Sequence, residues 1–74
     1  MAHSVITKNP EILGGAPVFR GTRVPIRILL EYLEAGDRID DFIENHPSVT
    51  RAQAIDLIEL AIEQLMKLSD EDAA

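Results

Sequence analysis

Apolar residues from Pro25 onwards recur at helical spacing and predict two helices before a third, longer one. The first helix is expected from Pro25 to Ala35, where apolar residues occupy positions i, i+3, i+4 and i+7 of one stripe. Gly36 is expected just after its C-terminus, and Asp37 is expected to cap a short second helix from Arg38 to Asn45. The stripe of the first helix consists of Ile26, Leu29, Leu30 and Leu33.

The longest apolar stripe predicts a third helix from Thr50 to about Leu68. Thr50 and Gln53 have the spacing of a capping box, in which each side chain bonds the backbone of the other residue. The apolar face of this helix is wider than two short helices can cover, which favours a subunit interface. A broad core-facing surface would account for the same width. The face contains Ala54, Ile55, Leu57, Ile58, Leu60, Ala61, Ile62, Leu65 and Met66.

Extended segments precede the helices. β-branched residues between Ser4 and Thr7 predict a strand that ends near Asn9 and Pro10. A second strand is expected around Val18 and Phe19, and it could pair with the first across a tight glycine turn at residues 14–15. Because a two-stranded ribbon is marginally stable by itself, it is expected to lie on the helices or to pair with a second copy.

These elements predict a single domain of the mainly α class. Its expected parts are an N-terminal β arm with a Gly/Arg turn (1–24), a three-helix helix-turn-helix core (25–68) and a disordered acidic tail (69–74). A chain of 74 residues buries little core, and the lack of cysteine excludes disulfides as a source of stability. A homodimer or higher oligomer is therefore expected.

Charge is divided unevenly along the chain. Residues 1–30 carry four basic side chains against one acidic side chain, whereas residues 31–74 carry three against twelve, which gives the net charge of −6. The acidic total argues against a protein that binds DNA by charge alone, although the basic first half keeps local binding of an anion open.

No apolar run approaches the ~20 residues that span a bilayer, and the N-terminus lacks the features of a signal peptide. A cytoplasmic protein without membrane contact is expected.

The short second helix, the turn at 46–49 and the long third helix outline a helix-turn-helix. Thr50, Arg51 and Gln53 are the candidate DNA-binding residues, because they lie in the first turn of the presumptive recognition helix and Arg and Gln suit guanine and adenine edges. The alternative is that Thr50 and Gln53 only cap the helix and Arg51 is solvated. Asp40, Asp41 and Glu44 on the preceding helix would repel phosphate.

A second candidate site is the glycine turn that carries Arg20, Thr22 and Arg23. Its two guanidinium groups could contact phosphate or the acidic cleft of a partner through planar, bidentate hydrogen bonds. The alternative is an exposed turn whose arginines pair with Glu31 or Glu34, a contribution of only ~0–1 kcal/mol.

Signals for catalysis or cofactor binding are poor. His3 and His46 are far apart and have no metal-ligand spacing, and His46 beside Pro47 is interpreted as a turn residue. The glycine pair at 14–15 does not fit a phosphate-binding fingerprint. We therefore expect no enzyme, no metal site and no cofactor.

Residues 9–25, Asn-Pro-Glu-Ile-Leu-Gly-Gly-Ala-Pro-Val-Phe-Arg-Gly-Thr-Arg-Val-Pro, resemble the opening signature of domain-of-unknown-function family 433. Residues 30–36 resemble the family's first helix and its glycine stop, and residues 39–50, with Asn-His-Pro at 45–47, also match. The likeness covers roughly residues 4–66. It implies a homeodomain-like helix-turn-helix preceded by a small β element.

Members of that family often resemble antitoxins of bacterial toxin–antitoxin pairs, similar to the VapB class, whose usual partner is a PIN-like ribonuclease. The resemblance implies an antitoxin that binds such a nuclease and also binds its own promoter DNA. It supplies no catalytic residue, and of its motif positions Arg23 is the one that could bind a partner. Two alternatives remain open: a stand-alone helix-turn-helix regulator and a dimeric interaction module that does not bind DNA.

Overall fold

The computed structural model describes the backbone of residues 5–73 and the side chains of residues 5–69. Two short strands, β1 (Ile6–Thr7) and β2 (Val18–Phe19), flank a 3₁₀ turn at Leu13–Gly15. Three helices follow, namely α1 (Ile26–Glu34), α2 (Ile39–Asn45) and α3 (Arg51–Ala73). The prediction of a mainly α fold preceded by a β element is confirmed. Ser4, which the predicted first strand includes, lies outside the described residues.

The two strands pair antiparallel, with Ile6 opposite Phe19. The chain reverses between them at Gly14 and Gly15, whose φ angles of +67° and +92° lie in the region that glycine occupies without a steric penalty. Both the pairing and the glycine turn are as predicted.

Phe19 attaches this hairpin to the helices. Its side chain is fully buried, and its ring centroid lies 5.7 Å from that of Phe42 in α2. Phe42 also meets Tyr32 of α1 edge-on, with centroids 5.5 Å apart. A ribbon that is marginal by itself is therefore stabilised by packing one aromatic ring into the helical core. The other buried apolar residues of the described part are Val18, Leu29, Val49 and Ala54.

The end of α1 explains a wrong prediction about α2. Gly36 follows α1 with φ +86°, and its N–H donates to the Leu33 carbonyl at 3.0 Å. The N–H of Asp37 donates to the Tyr32 carbonyl at 2.9 Å, which completes a Schellman motif. Asp37 therefore closes the first helix. The expectation that it caps the second helix is wrong, because Arg38 occupies that position.

The backbone N–H at the start of α2 receives its hydrogen-bond partner from a side chain within the same helix. Arg38 occupies the N-cap position with extended backbone, and its N–H donates to Oδ2 of Asp41 at 2.9 Å. This backbone hydrogen bond is the main reason that the pKa of Asp41 lies below its ordinary value, and the positive charge of Arg38 acts in the same direction. A carboxylate in the first helical turn also suits the positive end of the helix dipole.

The third helix is longer than predicted. It continues through Ala73, five residues beyond the expected end at Leu68. The expectation of a disordered tail at 69–74 is thus corrected for the backbone of 69–73, which is helical. No glycine or proline follows Leu68, so the sequence contains no helix-stopping residue there.

Candidate partner-binding turn and helix-turn-helix

The second and third helices meet at a corner formed by residues 46–50. His46 begins the turn, and its ring stacks on Phe42 with centroids 5.0 Å apart. Its Nδ1 lies 3.2 Å from the Phe42 carbonyl oxygen. His46 is thus packed within the corner, in agreement with its interpretation as a turn residue. Val49, near the end of the turn, is buried in the core.

Thr50 and Gln53 form the expected capping box at the start of α3. The Gln53 N–H donates to Thr50 Oγ1 at 3.1 Å, and the Thr50 N–H donates to Gln53 Oε1 at 3.0 Å. The other end of the glutamine amide, Nε2, donates to the Arg20 carbonyl at 3.0 Å. Both ends of the Gln53 amide are engaged inside the protein, so recognition of a base by Gln53 would require these bonds to break first.

Arg51, the remaining candidate for DNA contact, forms an ion pair with α2. Its Nε lies 3.0 Å from Oδ1 of Asp40, and the two side chains are 62% and 57% exposed. An exposed pair of this kind contributes ~0–1 kcal/mol, so another anion can replace the aspartate at little cost. Of the three predicted DNA-binding residues, Arg51 is the one whose polar group is most easily released.

The turn between β2 and α1 is held by Thr22. Its Oγ1 donates to the Phe19 carbonyl at 2.8 Å and accepts the N–H of Val24 at 3.0 Å. Gly21 has φ +79°, which a residue with a side chain rarely adopts. The Thr22 hydroxyl therefore shapes the turn from within, and the arginines on either side of it are carried by a backbone of fixed geometry.

Arg20 faces a cleft of about 570 Å³ between the arm and α3. Its Nη2 donates to the Ile6 carbonyl at 3.2 Å. Asp56, Glu59 and Glu63 of α3 line the same cleft. The guanidinium charge of Arg20 is therefore opposed by carboxylates of its own chain, which reduces its attraction for an external anion.

Arg23 lies at a different cleft, of about 530 Å³, between the arm and the turn that precedes α3. We call this the Arg23 cleft; its other lining residues are Thr7, Ile12, Gly21, Thr22, Val24 and Ser48. No acidic side chain is among them. Among the side chains of residues 5–69, the guanidinium of Arg23 has no hydrogen-bond or ion-pair partner. The positive charge at this cleft is thus uncompensated by its immediate surroundings.

A family described as "Protein of unknown function (DUF433)" matches residues 6–61 of this chain. The chain belongs to the DUF433 family. The matched region contains the hairpin, the Arg23 cleft, part of the Arg20 cleft, the corner between α2 and α3 and the first half of α3, and it ends at Ala61.

The chain is also similar to one solved structure and to one protein of known sequence. A crystal structure of a DUF433 member protein from Anabaena variabilis superposes with a TM-score of 0.67, covering 93% of this chain and 68% of that one, at 23% sequence identity. That likeness shows a shared fold. "Uncharacterized protein y4eO" of Sinorhizobium fredii is 42% identical over 48 residues, which are 65% of this chain and 22% of that protein. The chain thus spans about a fifth of the length of this relative.

The structure of this chain sets Arg20 and Arg23 at different clefts, whereas the sequence analysis had grouped them as one site. It also pairs Glu31 with Arg27, at 3.5 Å, and not with the turn arginines as one alternative supposed. The acids that line the Arg20 cleft were not anticipated as part of a site. Their sequence signal is the i, i+3, i+7 spacing of Asp56, Glu59 and Glu63, which sets them on one face of α3.

Two further features are absent from the described part of this DUF433 chain. No cluster of three or more His, Asp or Glu side chains among residues 5–69 is arranged to hold a metal ion. Over the same residues, no helix has the length and apolar character needed to cross a membrane.

Proposed function

We propose that this DUF433 protein is a non-catalytic antitoxin that neutralises a PIN-like ribonuclease by direct binding. The observation that carries the proposal is Arg23, a cation on a fixed turn that has no partner in the described part of the chain. The resemblance of DUF433 members to VapB-type antitoxins supplies the class of partner.

The chemistry of such a contact is a guanidinium against carboxylates. A PIN-like nuclease presents an acidic, metal-binding cleft, and the planar guanidinium of Arg23 can donate two parallel hydrogen bonds to one carboxylate. Because Thr22 and Gly21 already fix the turn, little backbone freedom is lost when Arg23 docks. The arginine acts as a charge-matched plug, and the Arg23 cleft accepts the edge of the partner beside it.

Arg20 has a supporting role in this proposal. Its side chain bonds the Ile6 carbonyl, and its own carbonyl accepts the Gln53 amide, so it links β1, the turn and α3. Replacing Arg20 therefore disturbs the scaffold as well as the charge. Arg23 is the cleaner position at which to test binding.

Binding of promoter DNA through the helix-turn-helix would be the autoregulatory arm of the same function. Arg51 is the residue through which we expect it, because its ion pair with Asp40 is exposed and exchangeable. Thr50 and Gln53 would contribute by positioning the helix. A stand-alone DNA-binding regulator is the competing function, and it requires no contact at Arg23.

The test is co-expression of the tagged chain with each neighbouring gene, followed by co-purification and a growth assay. We expect stoichiometric recovery of a small nuclease whose toxicity the wild-type chain suppresses and the Arg23→Ala variant does not. Arg27→Ala is the matched control, because Arg27 is another exposed arginine but is paired with Glu31 on α1.

Three outcomes separate the alternatives. Loss of neutralisation by Arg23→Ala alone supports the proposal. Equal neutralisation by the folded Arg23→Ala variant rejects the role of the turn. Recovery of the chain alone, with a promoter duplex bound in preference to random DNA, would establish the plain regulator instead.

A further inference from the structure

One surface of the protein is apolar and has no cover within its own described chain. Helices α1 and α3 enclose a groove of about 290 Å³ whose eight lining side chains are all aliphatic. Leu30 and Ile62 border it and are 46% and 50% exposed. Large exposed apolar patches on small proteins mark interaction sites. We call this surface the α1/α3 groove.

The same chain also carries a ridge that fits such a groove. Beyond the groove, α3 continues with Leu65, Met66 and Leu68, which are 57%, 62% and 57% exposed. The ridge and the groove are continuous along one helix, because Ile58 and Leu65 are seven residues, or two turns, apart. Groove and ridge therefore lie within one surface, as a self-complementary interface requires.

Two copies of α3 can meet antiparallel in this way. A two-fold axis beside Ala61 and Ile62 sets Leu65 of one copy against Ile58 of the other, and the reverse. Ala61 has the smallest side chain of the groove lining and would lie at the crossing point of this arrangement, where it allows the two helix axes to approach closely. Leu30 and Leu33 of α1 widen the contact on each side.

Charge favours a second copy over a basic partner helix. The chain carries a net charge of −6, so two copies repel each other wherever acidic faces meet. The groove is free of that repulsion because no charged residue lines it. Asp56, Glu59 and Glu63 line the Arg20 cleft instead. Because the groove lining contains no carboxylate, it also has nothing with which to attract a basic helix.

We propose that the α1/α3 groove is a two-fold interface at which a second copy of this chain binds, with the two α3 helices antiparallel around Ala61 and Ile62. The Arg23 cleft lies on the arm side of the molecule, and the interface uses neither arginine of the turn. Dimer formation is therefore separable from partner binding, and either can fail without the other.

The first experiment measures the mass of the purified chain by sedimentation equilibrium. The wild type is expected at twice the chain mass of 8.2 kDa, and Ile62→Glu at the chain mass, because the substitution sets two carboxylates against each other at the axis. The matched control is Leu13→Glu, which alters an equally exposed apolar residue (59%) on the hairpin loop. This control is expected to remain dimeric.

A second experiment tests the same interface without depending on whether the Ile62→Glu variant folds. The chain has no cysteine, so Ile62→Cys introduces a single thiol that is expected to cross-link to its twin under mild oxidation, whereas Leu13→Cys does not. A monomeric wild type overturns the proposal. So does a dimer that Ile62→Glu leaves intact while Ile62→Cys fails to cross-link, since the contact would then use another surface such as the hairpin edge.

Discussion

Gln53 connects the corner between α2 and α3 to the arginine turn, and its replacement should loosen both. In Gln53→Ala the bond from the Thr50 N–H to Oε1 and the bond from Nε2 to the Arg20 carbonyl are both lost. Each is an accessible, neutral hydrogen bond, worth about 0.5–1.5 kcal/mol, so the variant should lose about 1–3 kcal/mol. For a domain of this size, 1 kcal/mol corresponds to a melting-temperature change of about 4–8 °C.

A second substitution at the same position separates the two bonds. In Gln53→Glu the carboxylate can still accept the Thr50 N–H, which preserves the capping box, but it cannot donate to the Arg20 carbonyl. We expect Gln53→Glu to lose about half as much stability as Gln53→Ala. Both variants lose the hydrogen bond from residue 53 to the Arg20 carbonyl, so both release the N-terminal arm from α3 to the same extent. Hydrogen exchange of the amides at residues 20–24 should therefore accelerate in both variants.

Thermal unfolding followed by circular dichroism is the assay. The matched control is Gln64→Ala, because Gln64 lies exposed on the same helix and its side chain forms no hydrogen bond within the described residues. Its melting temperature should stay within about 2 °C of the wild type, as expected for a surface substitution. Equal shifts for the two alanine variants would refute the view that Gln53 ties α3 to the turn.

Two further predictions concern the core and the second helix. Phe42→Ala removes the ring that contacts Phe19, Tyr32 and His46, and it should cost about 3–5 kcal/mol, enough to abolish cooperative unfolding in a small domain; Leu13→Ala on the exposed loop should be nearly neutral. The pKa of Asp41 is lowered in the folded protein from its ordinary value of 3.8, so the stability this carboxylate provides is present above that value and is lost as the pH falls below it. Melting temperatures of wild type and Asp41→Asn should therefore differ at pH 7 and converge towards pH 3, and a constant difference across that range would contradict the assignment.

Sequence patterns were sufficient for most of the secondary structure. The i, i+3, i+4, i+7 stripe located α1 to within one residue at each end, and the Thr50–Gln53 spacing identified a capping box that the structure contains. These features depend on neighbours within one helical turn. A local pattern can therefore specify them without knowledge of the tertiary fold.

The errors arose where a residue had more than one local partner available. Asp37 is a favourable N-cap residue by type, but its N–H completes the Schellman motif of α1, and Asp41 satisfies the start of α2 instead. The length of α3 was underestimated because the acidic tail at 69–74 was expected to be disordered, although acidic residues are compatible with helix.

The candidate site could be only half anticipated. The turn was identified from its glycine and arginines, and the family signature singled out Arg23, but no local pattern indicated that Arg20 is engaged within its own chain. The distinction between the two arginines depends on contacts between residues more than 30 positions apart, such as the bond from Gln53 to the Arg20 carbonyl and the acids of α3 beside the Arg20 side chain. Nonlocal packing of this kind is invisible to periodicity.

Arg23 is the residue that we propose contacts a nuclease partner. The most direct measurement is the dissociation constant of the purified nuclease for the wild type, Arg23→Ala and Arg27→Ala, by isothermal titration at low and high salt. We expect Arg23→Ala to weaken binding by about 30-fold or more, as loss of one partner of a desolvated charge pair does, and Arg27→Ala to change it by less than about 3-fold. Equal affinities for wild type and Arg23→Ala at both salt concentrations would contradict the account.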